Sequence, residues 1–163
     1  MMNAENIKKT EKLVAVLSER GLKVTFAESC TGGLLGATLT SVSGASGVFD
    51  GSIVSYANEV KEEKLGVDGE VLATLGAVSE ETARQMVLGA CKMFSSDCGA
   101  AITGIAGPGG GTAQKPVGTV FVSAAFHGNV RVEHCLFSGD RAEVREQSVG
   151  KALDMLLNLI NKS

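Results

Sequence analysis

Residues 23 to 41 read KVTFAESCTGGLLGATLTS: a short apolar run, a polar turn ending in two glycines, then a run of small apolar residues. Lys23 to Ala27 predicts a strand, and 31 to 41 predicts a helix packed closely on a sheet, with Ser29 or Thr31 as its cap. A strand that feeds a glycine turn and a helix is the unit from which α/β folds are built. Glycine lets backbone N–H groups approach a ligand, and a helix opening after Ser29 adds the positive end of its dipole. A small anion such as phosphate is therefore the expected guest. A second string of this kind, TGIAGPGGG at 103 to 111, follows the apolar run Gly99 to Thr103.

Working outward, Ile7, Leu13, Val14, Val16 and Leu17 fit a surface helix over residues 5 to 20 that stops at Gly21. Ser41 to Gly47 has loop composition and delivers Ser46 just ahead of a strand from Phe49 to Tyr56. Asn58 is a suitable cap for a short helix after it. Ser79, followed by Glu80 and Glu81, opens a long helix to about Asp97, because acids in a first turn complement the dipole. Val117 to Phe126 and Val130 to Phe137 flank His127-Gly128-Asn129 and predict an antiparallel hairpin. Asp140 with Glu143 resembles a capping box for a last helix striped by Val149, Leu153, Leu156 and Ile160. The sum is a single domain with a three-layer α/β/α sandwich around a mixed, mostly parallel sheet of about five strands. Both glycine strings should lie at carboxyl ends of strands, where open α/β sheets collect ligands.

The 163 residues carry a formal charge of -3, with cations and acids interspersed and only six Phe and one Tyr. That composition offers neither a basic face nor a stacking platform for nucleic acid. There is no signal-peptide pattern and no apolar run of membrane-spanning length, so a cytoplasmic protein without a membrane partner is expected. Cys30, Cys91, Cys98 and Cys135 form no C-x-x-C pair and read as reduced thiols. Cys30 is also a possible nucleophile, since a helix N-terminus lowers a thiol's pKa. Apolar helix faces on a small domain are consistent with a homodimer.

Neither glycine string is a phosphate-binding Walker loop or a dinucleotide fingerprint. With only His127 and His134, both at the hairpin, a histidine triad or histidine metal site lacks support. Hydroxyl plus lysine remains. A lysine whose pKa is lowered can act as a general base, and a hydroxyl so activated attacks a carbonyl carbon. Lys61 is the candidate, with Tyr56 and Asn58 close by in sequence; the plainer reading is a solvated helix lysine like Lys64. Ser29 and Ser46 both offer the hydroxyl, and spacing does not choose between a nucleophile and, respectively, a helix cap or a turn residue. Thr103 ends a strand beside the second glycine loop. Arg141 and Arg145 lie one turn apart near a helix start, an unfavourable dipole position unless an anion or an acid such as Glu81 or Glu143 neutralises them.

These strings, with GASGVF at 44 to 49, VSYANEVK at 54 to 61, GAVS at 76 to 79, KPVGTV at 115 to 120 and FSGDR at 137 to 141, resemble in order the C-terminal domain of the CinA competence/damage-inducible family. Stand-alone members of that family are nicotinamide mononucleotide amidohydrolases (PncC-like). The resemblance implies hydrolysis of the carboxamide of this phosphorylated nucleotide to nicotinic acid mononucleotide and ammonia, without metal or other cofactor. By motif position it implies Ser46 as nucleophile, Lys61 as its base and Tyr56 as an assisting hydroxyl. Ser29, Thr31, Gly32, Gly33, Asn58, Thr103, Gly104 and Gly107 would line the site, and Arg141 would hold phosphate. Gly109 stands where some relatives carry Asp. The N-terminal domain of full-length CinA proteins, with its nucleotide hydrolase activity, has no counterpart here, so only the amidase activity is expected. The rivals are a different nucleophile, Ser29 or Cys30, or action on another amide or a phosphate ester, and a non-catalytic pyridine-nucleotide-binding module tied to competence or DNA damage.

Overall fold

A computed structural model describes residues 2 to 163. The chain runs α1 (Ala4–Arg20), β1 (Val24–Glu28), α2 (Leu34–Thr40), a 3-10 turn (Ala45–Gly47), β2 (Ile53–Val54), α3 (Asn58–Leu65), α4 (Gly69–Thr74) and α5 (Glu80–Phe94). It continues through β3 (Cys98–Gly104), β4 (Thr119–Phe126), β5 (Asn129–Leu136) and α6 (Arg141–Asn161). The strands form one sheet in the order β2-β1-β3-β4-β5. β2, β1 and β3 are parallel; β4 and β5 are antiparallel, joined by the tight turn at His127 and Gly128.

Alternation along the strands assigns the layers. Val24 and Phe26 of β1, Cys98, Ala100 and Ile102 of β3, and Val120, Val122 and Ala124 of β4 face the helices α1, α2 and α6. Ala27, Ala101 and Ala125 face the other way, toward α3, α4 and α5. Phe26, Leu13, Leu17, Leu153 and Leu156 are fully buried on the first face, each worth about 1.5–3 kcal/mol of transfer free energy. The sheet presents small residues to α5 on the second face, these alanines with Gly99 and with Ser123, whose hydroxyl donates to the Ala83 carbonyl at 2.7 Å, so that helix lies close to the sheet. Gly89 permits similar intimacy with α3: a Cβ there would collide with the Leu65 carbonyl oxygen.

Helix boundaries follow capping chemistry. α1 starts where Asn3 accepts the N–H groups of Glu5 and Asn6, and stops at Gly21 with φ 65°. Ser79 accepts the Thr82 N–H ahead of α5, and Asp140 accepts the Glu143 N–H ahead of α6. Four expectations change. The strand expected from Phe49 to Tyr56 shrinks to Ile53–Val54 plus a single bridge from Phe49 to Val24, because Asp50 and Gly51 leave the sheet between them. The helix expected from residue 31 begins at Leu34, capped by Gly33 rather than by Ser29 or Thr31. Asn58 is the first residue inside α3, with Ala57 at the cap. α4, capped by Asp68, was not expected at all. Among the described residues, no helix is long and apolar enough to cross a membrane.

Candidate active site

Because β1 and β3 are parallel neighbours, the two glycine strings leave the sheet at the same end. β1 closes on Glu28, and Ser29 continues the pairing by donating its N–H to the Ile102 carbonyl at 2.9 Å. One residue on, Thr103 sits beside Ser29 in register. The chain from Ser29 to Gly33 then coils through tight turns, with the Gly32 N–H returning to the Ser29 carbonyl and the Leu34 N–H to that of Thr31. Gly32 and Gly33 adopt φ of 56° and 102°, a left-handed backbone that glycine enters without steric cost. Among the described residues the N–H groups of Thr31 and Gly33 meet no acceptor, and the buried Thr31 hydroxyl has no partner either.

Lys61 reaches this turn from α3. It is 1% exposed, and its Nζ contacts Ser29 Oγ at 3.0 Å, the Ser55 carbonyl at 2.6 Å and the Tyr56 carbonyl at 3.1 Å. Burial lowers its pKa from 10.5 to about 8. The two carbonyls fix what the amine does on losing a proton. An NH2 group donates twice, to Ser55 and Tyr56, and its lone pair is left facing Ser29 Oγ. Ser29 is the hydroxyl that this lysine can activate.

Ser46 is elsewhere. It is exposed in the 3-10 turn, two residues before Val48, whose carbonyl accepts the Val24 N–H at the amino end of β1. Ser29 and Ser46 are thus separated by the length of β1, five residues at about 3.3 Å each, and the expected Ser46–Lys61 pair is not formed. Cys30 is no rival, because its side chain joins the α1/α2/α6 core and burial pushes the thiol up to about 11.

Other expected site residues divide. Thr103 is buried and its hydroxyl donates to the Ala77 carbonyl at 2.7 Å, tying the loop before α5 to the site. Asn58 is exposed and takes no part in the hydrogen bonds of the Ser29–Lys61 pair. Tyr56 contributes its carbonyl to Lys61, whereas its phenol points to Arg141, which donates to it at 3.2 Å. Arg141 also donates to the Gly107 carbonyl in the second glycine string at 2.7 Å, and Gly104 lets β3 press against β4, since a Cβ there would strike Val120. Arg145, one turn further along α6, donates to the Thr31 carbonyl at 2.8 Å. Neither arginine forms an ion pair among the described residues; Glu81, a possible partner, is engaged with Arg84. Two guanidinium groups therefore converge on the glycine strings with their charge uncompensated.

One residue of the site was not singled out from the sequence. Glu28 is fully buried, and its carboxylate accepts the Leu35 and Gly36 N–H groups at 2.8 and 3.0 Å. The N-terminus of α2, expected to receive a ligand anion, is filled by this internal one. The signal was a lone acid ending an otherwise uncharged strand just before a glycine turn.

Comparison with known proteins agrees with this architecture. A competence/damage inducible protein from Agrobacterium tumefaciens superposes with a TM-score of 0.95 and 40% identity, covering 99% of this chain and 98% of that one. An Escherichia coli protein of the CinA superfamily gives 0.92 at 32% identity, covering 98% and 93%. A CinA-like protein of Gemmatimonas aurantiaca is 49% identical over 137 residues, 84% of this chain and 32% of that protein. A competence-damage inducible protein of Clostridium beijerinckii is 45% identical over 158 residues, 97% of this chain and 38% of its own length. The chain thus spans about a third of those two longer relatives. Residues 6–160 match the CinA C-terminal domain, and the chain belongs to that family.

Proposed function

We propose that the chain hydrolyses the carboxamide of nicotinamide mononucleotide to nicotinic acid mononucleotide and ammonia, with Ser29 as nucleophile and Lys61 as its base. The observation that carries this reading is the 3.0 Å contact from Lys61 Nζ to Ser29 Oγ, made by a buried amine with a pKa lowered to about 8. Neutral Lys61 takes the Ser29 proton as Oγ attacks the carboxamide carbon. The developing oxyanion meets the free N–H groups of Thr31 and Gly33. Collapse of the adduct passes the proton from Lys61 to the departing nitrogen, and ammonia leaves a Ser29 ester. Water, giving its proton to the same amine, attacks that ester; the acid departs and Ser29 is reprotonated.

Substrate choice follows from charge. With the α2 N-terminus closed by Glu28, the phosphate falls to Arg141 and Arg145, the uncompensated cations beside the glycine strings. The names of the relatives, drawn from competence and damage, specify no chemistry; the Ser29–Lys61 pair supports hydrolysis through an acyl-serine.

The deciding experiment follows ammonia release from nicotinamide mononucleotide by the purified protein and by Ser29→Ala and Ser46→Ala. The expected result is loss of turnover in Ser29→Ala and wild-type turnover in Ser46→Ala. The reverse pattern, or binding of the mononucleotide with no ammonia from the wild type, overturns the assignment.

A further inference from the structure

Glu28 is a buried acid with no part in the chemistry described above, yet it touches both halves of the site. Its side chain holds the first turn of α2 through Leu35 and Gly36. Its own carbonyl accepts the Ser55 N–H at 2.7 Å, and the Ser55 carbonyl in turn holds Lys61 Nζ. Ser29 follows it directly in the chain. Both carboxylate oxygens face N–H donors, so the residue must offer two acceptors. Glutamine offers one and would set its NH2 against an N–H.

We propose that Glu28 is a positioning residue: its carboxylate anchors α2 and thereby sets the Thr31 and Gly33 N–H donors at the place where charge develops on a group attacked by Ser29. This rests on the Ser29–Lys61 reading above. A misplacement of about 1 Å in such a site costs on the order of a hundredfold in rate. Lys61 is tuned by burial and not by Glu28, so its titration stays where it is when the carboxylate is removed.

The test compares wild type, Glu28→Gln and Glu28→Asp in two assays: ammonia release from nicotinamide mononucleotide, and the rate at which a fluorophosphonate phosphonylates Ser29 with loss of fluoride. Ser29→Ala is the blank. The expected result in folded Glu28→Gln is a fall in kcat and in labelling rate of roughly a hundredfold, with KM and the pH midpoint unchanged. A purely structural role would lower thermal stability and leave kcat per folded molecule intact; that result overturns the proposal, as does a midpoint displaced toward 10.5, the value of a hydrated lysine. If Glu28→Gln does not fold, Glu28→Asp carries the test, because it keeps the charge but falls one methylene short. Wild-type labelling without ammonia release would refute the amidase reading alone, and the labelling rates would still decide the role of Glu28. Absence of both would remove Ser29 as nucleophile and the proposal with it.

Discussion

The lowered pKa of Lys61 makes a quantitative prediction about rate and pH. A base must be neutral to accept the Ser29 proton, so activity follows the neutral fraction. With a pKa of about 8 that fraction is roughly one tenth at pH 7; at the ordinary value of 10.5 it would be about three in ten thousand. Burial therefore raises the competent population at pH 7 about three-hundredfold. The sign is fixed: kcat/KM climbs tenfold per pH unit below about 8 and levels off above it. The assay is initial ammonia release at low substrate between about pH 6.5 and 9.5, above the titration of the substrate's own phosphate near pH 6. Lys61→Arg keeps a long cation that stays protonated, and Lys61→Met removes the amine; both should be inactive across the range. A profile flat from pH 6.5 to 9.5, or one still rising tenfold per unit at pH 9.5, would refute the base assignment.

Arg141→Ala should raise KM for the phosphorylated substrate by roughly ten- to a hundredfold, the worth of a charge-assisted hydrogen bond, and leave turnover of the dephosphorylated nucleoside unchanged. Steady-state kinetics on the two substrates checks this. Gly89→Ala should destabilise the fold by about 3 kcal/mol, near the upper end for overpacking, since backbone and not a yielding side chain meets the new methyl. Thermal unfolding measures that loss, and kcat should fall with it, because α3 carries Lys61.

Much of the fold was legible because its punctuation is local. Gly21 ends α1, Ser79 and Asp140 start α5 and α6, and the alternating residues on either side of His127 and Gly128 give the hairpin. β2 was overread because Phe49 and Ile53 share strand character, while the departure of Asp50 and Gly51 depends on packing that no local pattern reports. α4 escaped because six residues carry too little periodicity. The choice between the serines needed direction rather than composition. Ser46 precedes a parallel strand and Ser29 follows one, and only the second position lies at the end where such sheets bind ligands; that signal was present in the order of elements. The burial of Lys61 was not, since α3 reads as a charged, solvated helix. It is the carbonyls of Ser55 and Tyr56 that draw the amine inward.

The turn at His127 and Gly128 lies beside Asp97, whose carbonyl accepts the His127 N–H, at the amino end of β3. That is the pole of the sheet remote from Ser29, and Asn129 beside the turn is exposed. An affinity tag, a fluorophore or a tether to a solid support introduced at this corner would leave the chemistry pointing outward, giving immobilised preparations a uniform orientation.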